Sequence, residues 1–177
     1  MFMDDIEKLF RMRLNRPITC AFSGCRPHKA PLIYRADGYL CETYAKRLNE
    51  EISRAVGLGY KFFLSGGGLG FDLAAAEGVI SAREKMPYLR LIFALPCANH
   101  SANWTSEQKK RFKSLKAEAD DIIYVSDGPY EEGCMKKRNH FLVDCASMLI
   151  TIETKIRGGT MQTIAYAKKN HLEIALV

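Results

Sequence analysis

The sequence lacks several features that would have placed it quickly: a C-x-x-C pair, a Gly-Lys-Ser/Thr phosphate loop, an apolar run of membrane length, and aromatic residues interleaved with its basic run. Its six cysteines, Cys20, Cys25, Cys41, Cys97, Cys134 and Cys145, scatter over expected strands, loops and helices, which argues against a zinc site or a disulfide framework and for reduced thiols. The longest apolar runs fall far short of the ~20 residues of a membrane span. The opening MFMDDIEKLF is acidic where a signal peptide is basic and then apolar, so a cytoplasmic protein with no membrane partner is expected. Internal repeats, low-complexity tracts and linkers are also missing. The 177 residues therefore read as one domain, 1–177, with residues 1–16 as a helical segment packed on it. A chain of this size buries roughly 70% of its unfolded surface and requires no metal or disulfide. The formal charge of +6 favours anionic partners without choosing between a nucleotide and a nucleic acid.

The most informative stretch is FFLSGGGLGFDLAAAE, from Phe62 to Glu77. Phe62 to Leu64 suits a strand buried on both faces and Asp72 onward suits a helix, so Gly66, Gly67 and Gly68 fall at a strand-to-helix turn. Glycines there let backbone N–H groups approach an anion, and the helix that follows adds unpaired amides and the positive end of its dipole. The alternative is a tight turn with close helix packing.

Taken in order, the chain alternates strand and helix. Asp4 to Arg13 has apolar residues at helical spacing. Ile18 to Phe22 is the first strand and delivers Ser23, Gly24, Cys25, Arg26, Pro27, His28 and Lys29, a loop in which Arg26 can grip two phosphate oxygens and Lys29 adds a point charge. A helix spans Cys41 to Val56, closed by Gly57 or Gly59, and another runs from the glycine turn to about Lys85. Leu89 to Leu95 is a strand that leads to Pro96 and Trp104. Thr105 to Gln108 matches a capping box opening a helix to about Ala119. The remaining elements are a strand Ile122–Val125, a helix Gly133–Ala146, a strand Met148–Ile152, a second glycine turn at Arg157-Gly158-Gly159-Thr160, a helix Met161–Lys169 capped by Asn170, and a strand Leu172–Val177. Lys136, Lys137, Arg138 and Asn139 stand in the first turns of their helix, where cations oppose the dipole unless an anion lies nearby.

This alternation predicts an α/β, Rossmann-like three-layer sandwich with a mainly parallel sheet and helices on both faces. Ligands of such sheets bind beyond the carboxyl ends of the strands, where both glycine turns and several cations converge. The expected ligand-binding residues are Ser23, Gly24, Arg26, Ser65, Gly66, Gly67, Gly68, Asp72, Trp104, Arg138, Asn139, Gly158, Gly159 and Thr160. Trp104 stacks on a base or covers the core edge, and Asp72 meets a ribose or base or acts only as a cap. No metal or separate cofactor is expected; the ligand is a phosphorylated small molecule, and self-association stays open.

Several motifs follow one order: Ser-Gly-Cys-Arg-Pro-His-Lys at 23–29, Ser-Gly-Gly-Gly-Leu-Gly-Phe-Asp at 65–72 with Glu77, Pro96 through Trp104, Lys-Arg-Asn at 137–139 with Val143 and Asp144, and Gly-Gly-Thr at 158–160 with Thr163 and Tyr166. In this they resemble the YpsA-like proteins of the SLOG superfamily, which also holds the DprA DNA-processing proteins and the LOG cytokinin-activating phosphoribohydrolases. The resemblance covers nearly the whole chain from Pro17. It implies a Rossmann-like domain binding a nucleotide or nucleotide-derived ligand, as a sensor or signalling component. Cys25 stands where the family more usually has an aromatic residue. The LOG signature Pro-Gly-Gly-x-Gly-Thr-x-x-Glu is replaced by Arg-Gly-Gly-Thr-Met-Gln-Thr, which weakens the case for phosphoribohydrolase activity.

Two other readings stand beside binding. As a nucleotide N-glycosidase, the chain would use Glu77 or Asp72 to activate water or steady an oxocarbenium-like centre. As a DprA-like binder of single-stranded DNA it would use Lys109, Lys110, Arg111 and Lys113, a run that is otherwise a solvated helix face. A nucleophilic pair of Cys25 and His28 is the least favoured.

Overall fold

The computed structural model describes residues 15–152 and 157–177. The helix expected before Leu14 lies outside the described residues; Arg16–Ile18 forms a short 3-10 turn. Six strands follow: β1 (Thr19–Ser23), β2 (Phe62–Ser65), β3 (Arg90–Leu95), β4 (Asp121–Tyr124), β5 (Met148–Thr151) and β6 (Glu173–Leu176). Between them run α1 (Glu42–Gly57), α2 (Phe71–Arg83), α3 (Ser106–Ala117), α4 (Cys134–Asp144) and α5 (Gly159–Lys169). The strands form one parallel sheet in the order β4-β3-β2-β1-β5-β6.

Strand periodicity splits the core in two. Cys20 and Phe22 face one side and Ala21 the other, as the alternation of Cβ directions in a strand requires. On the first side Phe22 and Phe63 stack at 5.9 Å beneath residues of α1, α2 and α3. On the second, Ala21, Leu64 and Leu149 meet Leu142 of α4 and Ala167 of α5. The chain thus lays three helices on one face while building β1 to β4, then crosses to the other face to enter β5 beside β1. That reversal opens a crevice at the carboxyl ends of β1 and β5. The Thr151 hydroxyl donates to the Ser23 carbonyl at 2.6 Å and pins the two strand tips there.

Local signals hold where they have a mechanism. The capping box is present: the Gln108 amide donates to Thr105 Oγ1 at 3.3 Å and the Thr105 amide to Gln108 Oε1 at 3.0 Å. At the end of α5, Asn170 Nδ2 donates to the Tyr166 carbonyl at 2.8 Å. Between β1 and α1 the chain makes two further 3-10 turns, Pro27–Lys29 and Pro31–Ile33, where hydrophobic periodicity carries no signal.

Trp104 covers a core edge, set against His100 at 5.3 Å and Phe112 at 5.3 Å. His100 Nε2 lies 3.4 Å from the Gly67 carbonyl, and its ring stands edge-on to Phe112. Burial pushes its pKa down to about 4; the Gly67 carbonyl opposes that and the Arg138 charge adds to it. The unfolded chain then takes up a proton near pH 6.5 that the folded chain refuses until about pH 4. Stability from the neutral ring is complete above the unfolded value and is lost as pH falls toward 4. Between pH 7 and 4.5 this linkage amounts to about 2 kcal/mol. Urea unfolding of wild type and His100→Gln at both pH values should show that extra acid sensitivity in the wild type alone.

Candidate functional site

A cleft of about 250 Å³ opens at the β1/β5 crevice, between the loop after β1 and the start of α5. Of the residues expected from sequence, Ser23, Gly24, Arg26, Asp72, Arg138, Asn139, Gly158, Gly159 and Thr160 line it. Ser65, Gly66, Gly67, Gly68, Trp104 and Glu77 do not. The first amide of α5 to find an intrahelical acceptor is that of Gln162, on the Gly158 carbonyl at 3.1 Å. Those of Gly159, Thr160 and Met161 are the orphan donors of a helix start, and the N-cap, Gly158, has no side chain to cover them.

Lys29 reaches across from the opposite wall, its Nζ 3.7 Å from the point a Cβ on Gly158 would occupy. Arg157 completes the cationic rim, and His28 also faces the cleft. Lys29, His28 and Arg157 sit in loops that sequence reading singled out, yet only the fold shows that they oppose one another. Met135 and Leu142, on the same face of α4 as Asn139, supply an apolar wall that sequence reading missed because it resembles ordinary core periodicity.

The glycine turn after β2 is engaged internally. The Gly67 amide donates to Ser65 Oγ at 3.3 Å and the Gly68 amide to Asp72 Oδ2 at 3.1 Å, while the Ser65 hydroxyl donates to the Asp72 carbonyl at 2.9 Å. Asp72 therefore stands where a bound anion was expected. Arg138 comes over from α4, donates to the Gly66 carbonyl and to Asn139 Oδ1 at 2.9 Å, and lies 3.6 Å from Asp72 Oδ2. A Cβ at Gly66 would fall 1.8 Å from Arg138 Nη1, so glycine is required there for the passage of a guanidinium.

Arg138 and Asp72 are 5% and 6% exposed, which makes this a buried ion pair. Burial pushes the Asp72 carboxyl up, with Arg138, the Gly68 amide and Arg26 pulling it back; Asp72 Oδ1 has no hydrogen-bond partner. Burial likewise pushes the Cys25 thiol up, the opposite of what an activated nucleophile needs. Glu77 faces a separate groove between α1 and α2, held by Arg111 through bonds of 2.7 and 2.8 Å, with the guanidinium stacked 3.7 Å over Tyr39.

A sequence model described as the YspA SLOG family, YpsA, matches residues 20–177. The chain belongs to the YpsA family of SLOG proteins. It is 30% identical over 121 residues to an uncharacterized SPbeta prophage-derived protein, YoqJ, of Bacillus subtilis (strain 168), covering 62% of this chain and 71% of that protein. It is 24% identical over 151 residues to the UPF0398 protein YpsA of the same organism, covering 84% and 83%. Among solved structures it is similar to DNA processing protein A from Helicobacter pylori, a protein with a single-stranded DNA binding mode, at a TM-score of 0.60 and 19% identity. That match covers 93% of this chain and 66% of the DNA-processing protein, so the chain spans just under two thirds of its length. At such identity the likeness is one of fold.

In this YpsA-family chain the cleft carries four guanidinium or ammonium groups, those of Arg26, Lys29, Arg138 and Arg157, against one carboxylate, Asp72. Since Asp72 is spent on Arg138, the remaining charge is available to an anion beside the α5 amides. The internal pair also carries stability. Asp72→Ala leaves a guanidinium buried without its counter-charge and the Gly68 amide unpaired, so unfolding in urea should show a loss of about 3 kcal/mol. Glu77→Ala, at a more exposed pair, should cost no more than about 1 kcal/mol.

Proposed function

We propose that the protein binds a nucleotide or nucleotide-derived ligand in this cleft and serves as a sensor or signalling component. The observation that supports it best is the helix start with uncovered amides, Gly158 to Met161, ringed by Lys29, Arg157 and Arg26 at the point where strand order reverses. In this reading the α5 amides and the Thr160 hydroxyl take phosphate oxygens, and Lys29 and Arg157 neutralise them from opposite walls. Asn139 and the unpartnered Asp72 Oδ1 face the sugar, and Met135 and Leu142 pack against its carbon skeleton. A glycosidase reading has less support, because Glu77 is held by Arg111 in another groove and the cleft has one carboxylate where such reactions ordinarily use two.

Binding of single-stranded DNA is the second reading, favoured by the fold likeness to the Helicobacter pylori protein. Of its expected contacts, Arg111 is engaged by Glu77 and Tyr39, while Lys109, Lys110 and Lys113 are exposed on α3.

Titration calorimetry at low salt with mononucleotides, dinucleotides and inorganic phosphate tests the first reading. Nucleotides should bind, and Lys29→Ala and Arg157→Ala should each weaken binding about tenfold, the value of one charge-assisted contact of roughly 1.5 kcal/mol. Folded protein that binds none of them overturns it. A salt-dependent mobility shift of an oligonucleotide, unaffected by excess nucleotide, would support the second reading instead.

A further inference from the structure

Glu77 and Arg111 lie outside the cleft, yet the contact they make ends on the chain segment that forms one of its walls. Glu77 of α2 accepts two bonds from Arg111 of α3, at 2.7 and 2.8 Å, and a two-pronged pair of this kind fixes the plane of the guanidinium. The central carbon of that group stands 3.7 Å from the centre of the Tyr39 ring. The side chain of Arg111 is only 12% exposed, so the contact is largely shielded from water, where a cation gains most from an aromatic face.

Tyr39 belongs to the segment between β1 and α1 that brings Arg26, His28 and Lys29 to the cleft. From Arg26 to Tyr39 only Tyr34 is buried, with Ala30 and Ile33 partly packed on the core. Such a segment opens locally at low cost unless a contact outside the core holds it. It ends in an antiparallel bridge of Tyr34 and Leu40, within which the Arg35 amide donates to the Tyr39 carbonyl at 2.8 Å. Gly38, in this hairpin, packs back on Pro27, whose Cγ lies 3.8 Å from the point a Cβ on Gly38 would occupy. Pro27 stands between Arg26 and His28, so the position of the hairpin is passed on to the cationic wall. Beneath the hairpin is a gap of about 80 Å³ lined by Pro27, Tyr39, Leu69, Gly70, Gln108 and Arg111. The stack of Tyr39 on Arg111 bridges that gap to α3.

We propose that Tyr39 is a positioning residue for the anion cleft: stacked on Arg111, which Glu77 holds flat, it clamps the segment from Arg26 to Tyr39 and keeps Arg26 and Lys29 opposite the start of α5. The consequence for a ligand rests on the binding reading given above; the clamp itself does not. Tyr39 does not line the cleft, so it acts on an anion only through the segment. The chemistry of the contact says which replacements preserve it. Phenylalanine at 39 keeps the negative ring face, and leucine keeps apolar cover without it. Lysine at 111 keeps the charge and loses both the planar stack and the two-pronged grip on Glu77.

Hydrogen exchange read by mass spectrometry on the full chain, without ligand, compares the wild type with Tyr39→Leu, Tyr39→Phe and Arg111→Lys. The amides of Lys29, Ala30, Ile33 and Gly38 are bonded within the segment. Peptides holding them should exchange about fivefold faster in Tyr39→Leu and Arg111→Lys, the equivalent of one cation–π contact, and at the wild-type rate in Tyr39→Phe. Inorganic phosphate, titrated by calorimetry at low salt, should bind several-fold more weakly to the first two variants and unchanged to the third. All three keep the net charge, so a long-range electrostatic effect cannot produce that pattern. The proposal is overturned if exchange in the segment does not change, if it rises equally in β1 and β5, or if Tyr39→Phe behaves like Tyr39→Leu. It is equally overturned if the segment loosens while phosphate affinity stays at the wild-type value. A wild type that binds neither phosphate nor nucleotide overturns the binding reading instead, and the exchange contrast still decides the clamp.

Discussion

The buried pair between Asp72 and Arg138 is the contact on which the functional end of the molecule depends. Asp72 belongs to α2 on one face of the sheet and Arg138 to α4 on the other, and they meet above the strand ends by way of Gly66. Glycine at 66 makes the passage possible, and Asp72 Oδ2 also secures the Gly68 amide. One carboxylate therefore fixes the turn after β2, the start of α2 and the guanidinium from α4. Buried pairs of this kind add little net stability over an apolar replacement, but removing one partner costs several kcal/mol. Their value here is positional, since they hold two helical layers in register at the cleft floor.

The same pair divides the cations into those that hold the structure and those free to meet a ligand. Arg138 is committed to Asp72, Gly66 and Asn139. Among the described residues Lys29 and Arg157 have no ion pair, and they face the uncovered amides of α5. The location follows from chain order: only between β1 and β5 do successive connections run in opposite directions and leave room between the loops. The switch of helices from one face to the other at α4 carries Met135 and Asn139 to that gap.

Much of this was legible in the sequence because it rests on local rules. Apolar runs marked the strands, threes and fours marked the helices, and Thr105 with Gln108 marked a helix start that the structure shows. The motifs from Ser23 to Tyr166 carried the family resemblance. What escaped was partnership across distance. The Gly66–Gly68 turn has the composition of an anion site, and nothing local says that Asp72, four residues beyond Gly68, occupies it. Arg138 and Gly66 are 72 positions apart, and Glu77 and Arg111 are 34 apart. A helix-face carboxylate and a basic helix each read as candidates for chemistry until the fold pairs them off.

That pairing changes what the positive charge of the chain means. A net charge of +6 and a run of lysines and arginines on α3 invite a nucleic-acid reading, yet Arg111 is bound by a carboxylate and covered by a tyrosine ring. Lys116 lies over Phe112 at 4.9 Å. Exposed Lys109, Lys110 and Lys113 keep long solvated stems, and a cation in water contributes little until a phosphate comes within a Debye length. The cleft works differently. Its cations face one another across a helix start whose amides have no other acceptor within the helix, so that in the proposed reading a single phosphate would satisfy several groups at once. Convergence on unmet donors, rather than the number of basic residues, is what distinguishes the cleft from the basic face of α3 and underlies the proposal that it takes an anion.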